Sequence, residues 1–110
     1  MRVVNTTLSF RKTFRKLLKP YPHLQEDFLP LLEQLEHGPL PGVPLVGFAG
    51  KIWKARLASS DQRKGRSGGF RLIYLADEKA QELWLLTLYA KSEQTDIRAG
   101  EIQKILDSLP

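Results

Sequence analysis

Lysine and arginine residues concentrate in one stretch of the chain, where they could bind an anionic substrate. Between Lys51 and Tyr74, seven cations face a single acid, Asp61, so this stretch carries a net charge of +6. The whole chain of 110 residues carries +5, so the remainder is close to neutral. Phosphates are the natural partners of such a patch. Cations around a phosphate also stabilise the charge that develops when an RNA 2′-OH attacks the adjacent phosphorus, which is the chemistry this pattern could support.

Strand alternation predicts which side of a sheet carries these charges. Successive side chains of a strand point to opposite faces, so Lys54 and Arg56 share one face. The same rule places Arg71, Tyr89 and Lys91 outward on the two following strands. We expect these five residues to meet on one open face and to be the catalytic candidates. The core-facing positions are then Trp53, Ala55, Leu57, Phe70, Leu72, Tyr74, Trp84, Leu86 and Leu88.

This assignment leaves apolar residues on the open face. Ile73, Leu83 and Leu85 would share that face with the cations. We expect the C-terminal helix or a partner to cover them.

A glycine-containing loop adds candidate RNA-binding residues. Residues 63–69 place three cations among three glycines, whose backbone N–H groups can approach an anion closely. We expect RNA contacts from this loop and from the start of the preceding strand. The alternative is that the loop cations only keep the surface soluble. The predicted RNA-binding residues are Lys51, Arg63, Lys64, Arg66 and Ser67.

Several other kinds of site are disfavoured. The chain has no cysteine, and its two histidines, His23 and His37, stand apart in the first third without a metal-ligand pattern. It also lacks a phosphate-binding P-loop and a dinucleotide-binding glycine motif. We therefore expect neither a metal nor a cofactor.

Length and hydropathy bound the remaining possibilities. A chain of 110 residues is the size of one domain and too short for a separate cofactor domain. No stretch approaches the roughly 20 apolar residues of a membrane-spanning helix, and no secretory signal is evident. We expect a single domain spanning 1–110, a cytoplasmic location and no membrane partner.

Periodicity predicts an α+β fold. Apolar spacing indicates helices over 9–19 and 24–36, with Pro30 either kinking the second or lying in the first turn of a helix that starts near Asp27. Residues 37–44 are rich in Pro and Gly, which should deny them both helix and ladder. Strands are predicted at 52–58, 70–76 and 82–90, a closing helix follows, and residues 2–6 could add a first strand. We expect a small antiparallel sheet with the two N-terminal helices packed on one face and a short C-terminal helix.

Three motifs in this order resemble the RelE/ParE toxin superfamily, in particular its RelE-like and HigB-like branch. They are WKARL at 53–57, GFRLIY at 69–74 and LYAKSEQ at 88–94, followed by a terminal helix. The resemblance covers nearly the whole chain. It implies a RelE-like fold and a toxin of a type II toxin-antitoxin system, an endoribonuclease that cleaves mRNA in the ribosomal A site and so inhibits translation.

The resemblance also implies roles for individual residues. Lys54 and Arg56 would hold the RNA backbone and take part in proton transfer, and Arg71 would stabilise the pentacovalent phosphorane. Lys91 stands where the branch often carries an arginine. The family's terminal-helix tyrosine corresponds to Ile97 here, so its role is either absent or passes to Tyr89. Two candidates for the general base remain: Tyr89, and a lysine whose pKa is lowered by neighbouring cations.

The resemblance further implies partners and leaves two alternative functions. The partners are a cognate antitoxin, expected to be acidic, and mRNA on the 70S ribosome with its 16S rRNA. Any DNA binding is expected only in the complex with the antitoxin. The alternatives are a non-enzymatic, ParE-like inhibitor of DNA gyrase and a degenerate toxin that only binds its antitoxin or RNA.

Overall fold

A five-stranded mixed sheet forms the centre of the computed structural model, which describes residues 1–62 and 68–110. The sheet order is β1-β5-β4-β3-β2. The fold is α+β, as predicted. In chain order, the elements of the described residues are β1 (Val3–Thr6), α1 (Leu8–Leu17), α2 (Leu24–His37), β2 (Val43–Pro44), β3 (Ile52–Leu57), β4 (Phe70–Asp77), β5 (Glu82–Ala90) and α3 (Ala99–Asp107).

The sheet is not purely antiparallel, which corrects the prediction. Strands β3, β4 and β5 form the expected antiparallel meander, but β1 pairs with β5 in parallel, from Val3 opposite Glu82 to Thr6 opposite Leu85. Parallel neighbours need a long connection. Here the two helices and three strands between β1 and β5 provide it.

The proline-rich connection also contributes to the sheet. Val43 and Pro44 form the edge strand β2 and pair with Lys54 and Trp53 of β3. The prediction that this segment is excluded from any ladder is therefore wrong at these two residues. Proline is tolerated there because β2 is an edge strand.

The two N-terminal helices begin and end close to their predicted bounds. Helix α1 begins at Leu8 because the Thr7 side chain accepts a hydrogen bond from the Phe10 N–H. Helix α2 begins at Leu24, so Pro30 lies inside it and the alternative start near Asp27 is not observed.

One extra residue in β5 changes the side-chain pattern of the sheet. Ile73 of β4 lies opposite Thr87, while the next residue, Tyr74, lies opposite Leu85. Leu86 is therefore a bulge residue without a partner of its own in the β4–β5 register. The Thr7 hydroxyl lies 2.8 Å from the Leu86 carbonyl oxygen and 3.0 Å from that of Leu85, so the start of α1 is attached to the bulge.

The bulge overturns four of the predicted facings. Leu83 and Leu85 lie in the larger core, whereas Trp84 and Leu86 lie with the smaller core, the reverse of the prediction. Simple alternation fails because it does not count the extra residue. Leu88, beyond the bulge, faces the larger core as predicted.

Two apolar cores lie on the two faces of the sheet. The larger core joins residues of α1 and α2, including Phe10 and Leu35, to the strands. The smaller core packs Ile102 of α3 against residues that include Ile73 and Tyr89. The face that carries the cations is thus partly covered by the C-terminal helix. Within the described ranges, the helices are all too short or too polar to cross a membrane.

We predict that Gly69→Ala destabilises the protein by about 2–4 kcal/mol. Gly69 has a φ of +74°, and a Cβ at this position would lie 2.3 Å from the Leu57 carbonyl oxygen. Gly100→Ala is the control, because a Cβ at that position would have nothing within 4 Å and alanine favours the helix by about 1 kcal/mol. Urea unfolding of both variants measures the difference, and equal stabilities would contradict the prediction.

Candidate functional site

Three neighbouring strands bring the predicted catalytic residues together at one end of the sheet. Arg56 of β3 lies opposite Arg71 of β4, and Arg71 lies opposite Tyr89 of β5. Lys54 lies two positions from Arg56 on the same face of β3. Lys91 follows β5 directly, and its backbone N–H donates a 3.0 Å hydrogen bond to the Gly69 carbonyl. These five residues form what we call the basic cluster.

Arg71 is held by backbone carbonyls rather than by an acid. Its Nη1 donates hydrogen bonds to the carbonyl oxygens of Gly68, at 3.1 Å, and Phe70, at 3.2 Å. No carboxylate of the described residues lies within ion-pair distance of this guanidinium. Arg56 and Arg71 are directly opposite each other on neighbouring strands, so two positive charges lie close together here. The half-buried Arg71 is therefore positioned to bind an anion.

The structure adds one residue to the cluster that the sequence analysis missed, Asp96. Its Oδ1 lies 3.7 Å from the Nζ of Lys54. A hydrogen bond from the Ile97 N–H lowers the pKa of Asp96, and the positive charges of Lys54 and then Lys91 act in the same direction. The available signal in the sequence is an acid three residues before the terminal helix and five residues after Lys91. Asp96 is thus ionised within a mostly cationic site.

Lys91 stabilises the turn that carries Asp96. Its Nζ donates a hydrogen bond to the Thr95 carbonyl oxygen. In this arrangement its ammonium joins the end of β5 to the segment before α3.

Tyr89 lies beneath the surface of the site. It is only 5 % exposed, and its buried hydroxyl makes no hydrogen bond of ordinary geometry among the described residues. Burial raises the pKa of Tyr89, and the negative charge of Asp96 and a weak hydrogen-bonding interaction with that carboxylate raise it further, while Arg71 opposes them. The hydroxyl therefore stays protonated at neutral pH and is not in reach of a surface-bound RNA in this conformation.

The predicted RNA-binding residues fall into two groups. Lys51 precedes β3 at the end opposite to Arg56, about 16 Å away along the strand, so the structure does not bring it to the basic cluster. Arg63, Lys64, Arg66 and Ser67 lie outside the described residues.

Polar contacts that the sequence analysis missed join Gln62 and Gly69, on either side of the cations of the glycine-containing loop. The Gln62 side-chain oxygen accepts a 2.7 Å hydrogen bond from the Gly69 N–H, and its amide nitrogen donates to the Tyr21 hydroxyl at 3.0 Å. The Tyr21 ring packs edge-on against Phe70 with ring centroids 5.0 Å apart. Gln62 and Gly69 therefore meet beside the basic cluster.

Asp61, the one acid of the basic stretch, is paired with His23. The His23 Nδ1 lies 2.6 Å from Asp61 Oδ1, and the His23 backbone N–H donates to Oδ2 at 2.9 Å. This hydrogen bond raises the pKa of His23 and lowers that of Asp61. Asp61 is thus paired with His23, the residue directly before α2.

No protein-family model matches this chain. In residues 1–62 and 68–110, His, Asp and Glu side chains form no group of three that could hold a metal ion.

We predict that Tyr89→Phe and Tyr74→Phe differ in their effect on stability. Removing the buried Tyr89 hydroxyl, which makes no hydrogen bond of ordinary geometry, should change the free energy of unfolding by no more than about 1 kcal/mol. The Tyr74 hydroxyl donates to the Pro41 carbonyl at 2.6 Å, so its removal should cost about 1–3 kcal/mol. Urea denaturation compares the two variants. A large loss in Tyr89→Phe would show that its hydroxyl is paired in solution.

We also predict a pH window for the His23–Asp61 contact. Because the His23 pKa is raised, the contact's contribution to folding stability is fully present below the ordinary histidine pKa and is lost as pH rises through the pKa of His23 in the folded protein. Because the Asp61 pKa is lowered, the same contribution is lost as pH falls through the pKa of Asp61 in the folded protein. NMR titration of His23 should give a pKa above 6.5 that falls back in Asp61→Asn. An identical pKa in both proteins would contradict the pairing.

Proposed function

We propose that this protein is a RelE-like endoribonuclease, the toxin of a type II toxin-antitoxin system, which cleaves mRNA in the ribosomal A site. The observation that carries the proposal is the register of three adjacent strands, which sets Arg56 opposite Arg71 and places Lys54 on the same face. A sheet end that holds cations at such close spacing is suited to a phosphate that gains negative charge during reaction. The resemblance of the three sequence motifs to the RelE-like branch supports the same function.

The chemistry assigns each cation a task. The 2′-OH of the mRNA attacks the adjacent phosphorus, and Arg71 stabilises the charge on the resulting phosphorane. Arg71 suits this task because its guanidinium is fixed by two backbone carbonyls and has no acid partner among the described residues. Lys54 and Arg56 hold the RNA backbone, and Lys91 supports the segment at the end of β5.

The proposed partners follow from charge. The ribosome supplies the mRNA and surrounds it with 16S rRNA, whose phosphates would be contacted by the basic stretch. The cognate antitoxin would neutralise the same stretch with an acidic, partly disordered segment. Any DNA binding would belong to the toxin-antitoxin complex. The cytoplasm, where ribosomes work, is the proposed location.

We predict that Arg71→Ala reduces mRNA cleavage by at least about 100-fold, because one preorganised charge contact to a transition state is worth that much. The measurement is primer extension on a defined mRNA incubated with the purified protein, with and without programmed ribosomes. Lys79→Ala is the control: it also removes one cation, here an exposed one from the β4–β5 turn at the other end of the strands, and should cleave normally.

Each outcome of this assay has a distinct meaning. Cleavage only with ribosomes, lost in Arg71→Ala and kept in Lys79→Ala, supports the proposal. Cleavage without ribosomes supports the nuclease activity and contradicts its dependence on ribosomes. Absence of cleavage by the wild type overturns the proposal, and a DNA gyrase supercoiling assay then tests the ParE-like alternative. A fully active Arg71→Ala variant overturns the assigned role of Arg71.

A further inference from the structure

The basic cluster contains many proton donors and few groups that can accept a proton. Lysine and arginine side chains in their charged forms are donors only. The Tyr89 hydroxyl is buried, so it does not reach a substrate on the surface. Attack by a 2′-OH nevertheless requires a group that takes its proton. Among the described residues, the exposed carboxylate of Asp96 lies 3.7 Å from a cation of the cluster, the Lys54 ammonium.

The position of Asp96 is fixed from two sides. Its Oδ1 accepts a 2.8 Å hydrogen bond from the Ile97 N–H, and its backbone carbonyl accepts one from the Gln94 side chain at 3.0 Å. The side chain is nevertheless 69 % exposed, so a substrate can reach it. The Lys54 ammonium, 3.7 Å away, keeps the carboxylate on the cluster side of the turn. Asp96 thus combines a fixed location, access and proximity to the cations that would hold the phosphate.

We propose that Asp96 is the proton acceptor of the RNA cleavage reaction, an inference that rests on the proposed function. The Asp96 carboxylate takes the proton of the attacking 2′-OH as the O2′–P bond forms. The P–O5′ bond then breaks, and the 5′ oxygen takes a proton from an ammonium of the cluster, Lys54 or Lys91. The products are a 2′,3′-cyclic phosphate and a 5′-OH end. The Asp96 proton returns to the lysine, which restores the starting state without a co-reactant.

The charged and titratable groups around Asp96 come from several elements. Lys54 belongs to β3, Arg71 to β4 and Tyr89 to β5, and Lys91 follows β5. Three of them are cationic, and two of these, Lys54 and Lys91, favour the ionised carboxylate. A competing explanation for the same contacts is electrostatic: the carboxylate occupies the place of the phosphate and weakens RNA binding until it is displaced. The two explanations predict opposite effects when the charge is removed.

The experiment compares Asp96→Asn with Glu93→Gln. Glu93 lies on the same exposed segment, so Glu93→Gln removes the same charge without touching the Lys54 contact. Single-turnover cleavage is measured under the condition in which the wild type cleaves. Affinity is measured separately with an RNA that carries a 2′-deoxy nucleotide at the cleavage position and cannot react. Circular dichroism checks that both variants fold.

We expect Asp96→Asn to slow cleavage by about 100-fold or more while RNA affinity is unchanged or tighter. Glu93→Gln should cleave at the wild-type rate. Asp96→Glu should recover part of the rate, because it restores a carboxylate at a slightly altered position.

The pH dependence separates a proton acceptor from a structural residue. Between about pH 6.5 and 8.5 the Asp96→Asn rate should rise about tenfold per pH unit, because hydroxide replaces the missing base. The wild-type rate should change much less over this range. Equal slopes for the two proteins would overturn the proposal.

The outcomes distinguish this proposal from the proposed function. A wild type that does not cleave RNA overturns both. If the wild type cleaves and Arg71→Ala does not, the proposed function stands, and an Asp96→Asn variant that cleaves as fast as the wild type overturns only the role of Asp96. Faster cleavage with tighter RNA binding in Asp96→Asn also overturns it and identifies the carboxylate as an electrostatic competitor.

Discussion

The bulge at Leu86 is the constraint on which the rest of the structure depends. With strict alternation, Leu83 and Leu85 would face the same side as Tyr89, and the larger core would lose two of its buried leucines. Because of the extra residue, the first part of β5 contributes to the larger core, against α1 and α2. The end of β5 places Tyr89 in the smaller core, against α3. The Thr7 hydroxyl bonds to carbonyls at this point, so the same residue that caps α1 also ties that helix to the irregular strand.

The site lies where the sheet is well buried, which explains how it tolerates its charges. Phe70 and Leu72 flank Arg71 and are completely buried, so the backbone of β4 is firmly held at this level. Burial of such large apolar side chains stabilises the strands by about 1.5–3 kcal/mol per side chain, which holds the two opposite arginines in place. The cations are therefore presented by firmly packed strands.

The features that follow from local spacing can be predicted from the sequence, and those that depend on distant contacts cannot. The predicted ends of β3, β4 and β5 agree with the structure within one residue, because alternating or apolar runs are bounded by turns. The facing of Lys54, Arg56 and Arg71 follows from the same alternation. The direction of β1 and the bulge at Leu86 depend on Thr7 meeting a strand about eighty residues later, which no local pattern contains. The sequence analysis misses Asp96 for a related reason: it reaches Lys54 through a turn whose shape is set by Lys91 and Ile97.

The contacts of Gln62 and Tyr21 support the start of β4 from outside the sheet. The Gln62 side-chain oxygen accepts a hydrogen bond from the Gly69 N–H, and its amide nitrogen donates to the Tyr21 hydroxyl. The Tyr21 ring in turn packs against Phe70, the first residue of β4. A substitution at Tyr21 or Gln62 would therefore reach the strand that sets Arg71 opposite Arg56 without altering any residue of the basic cluster.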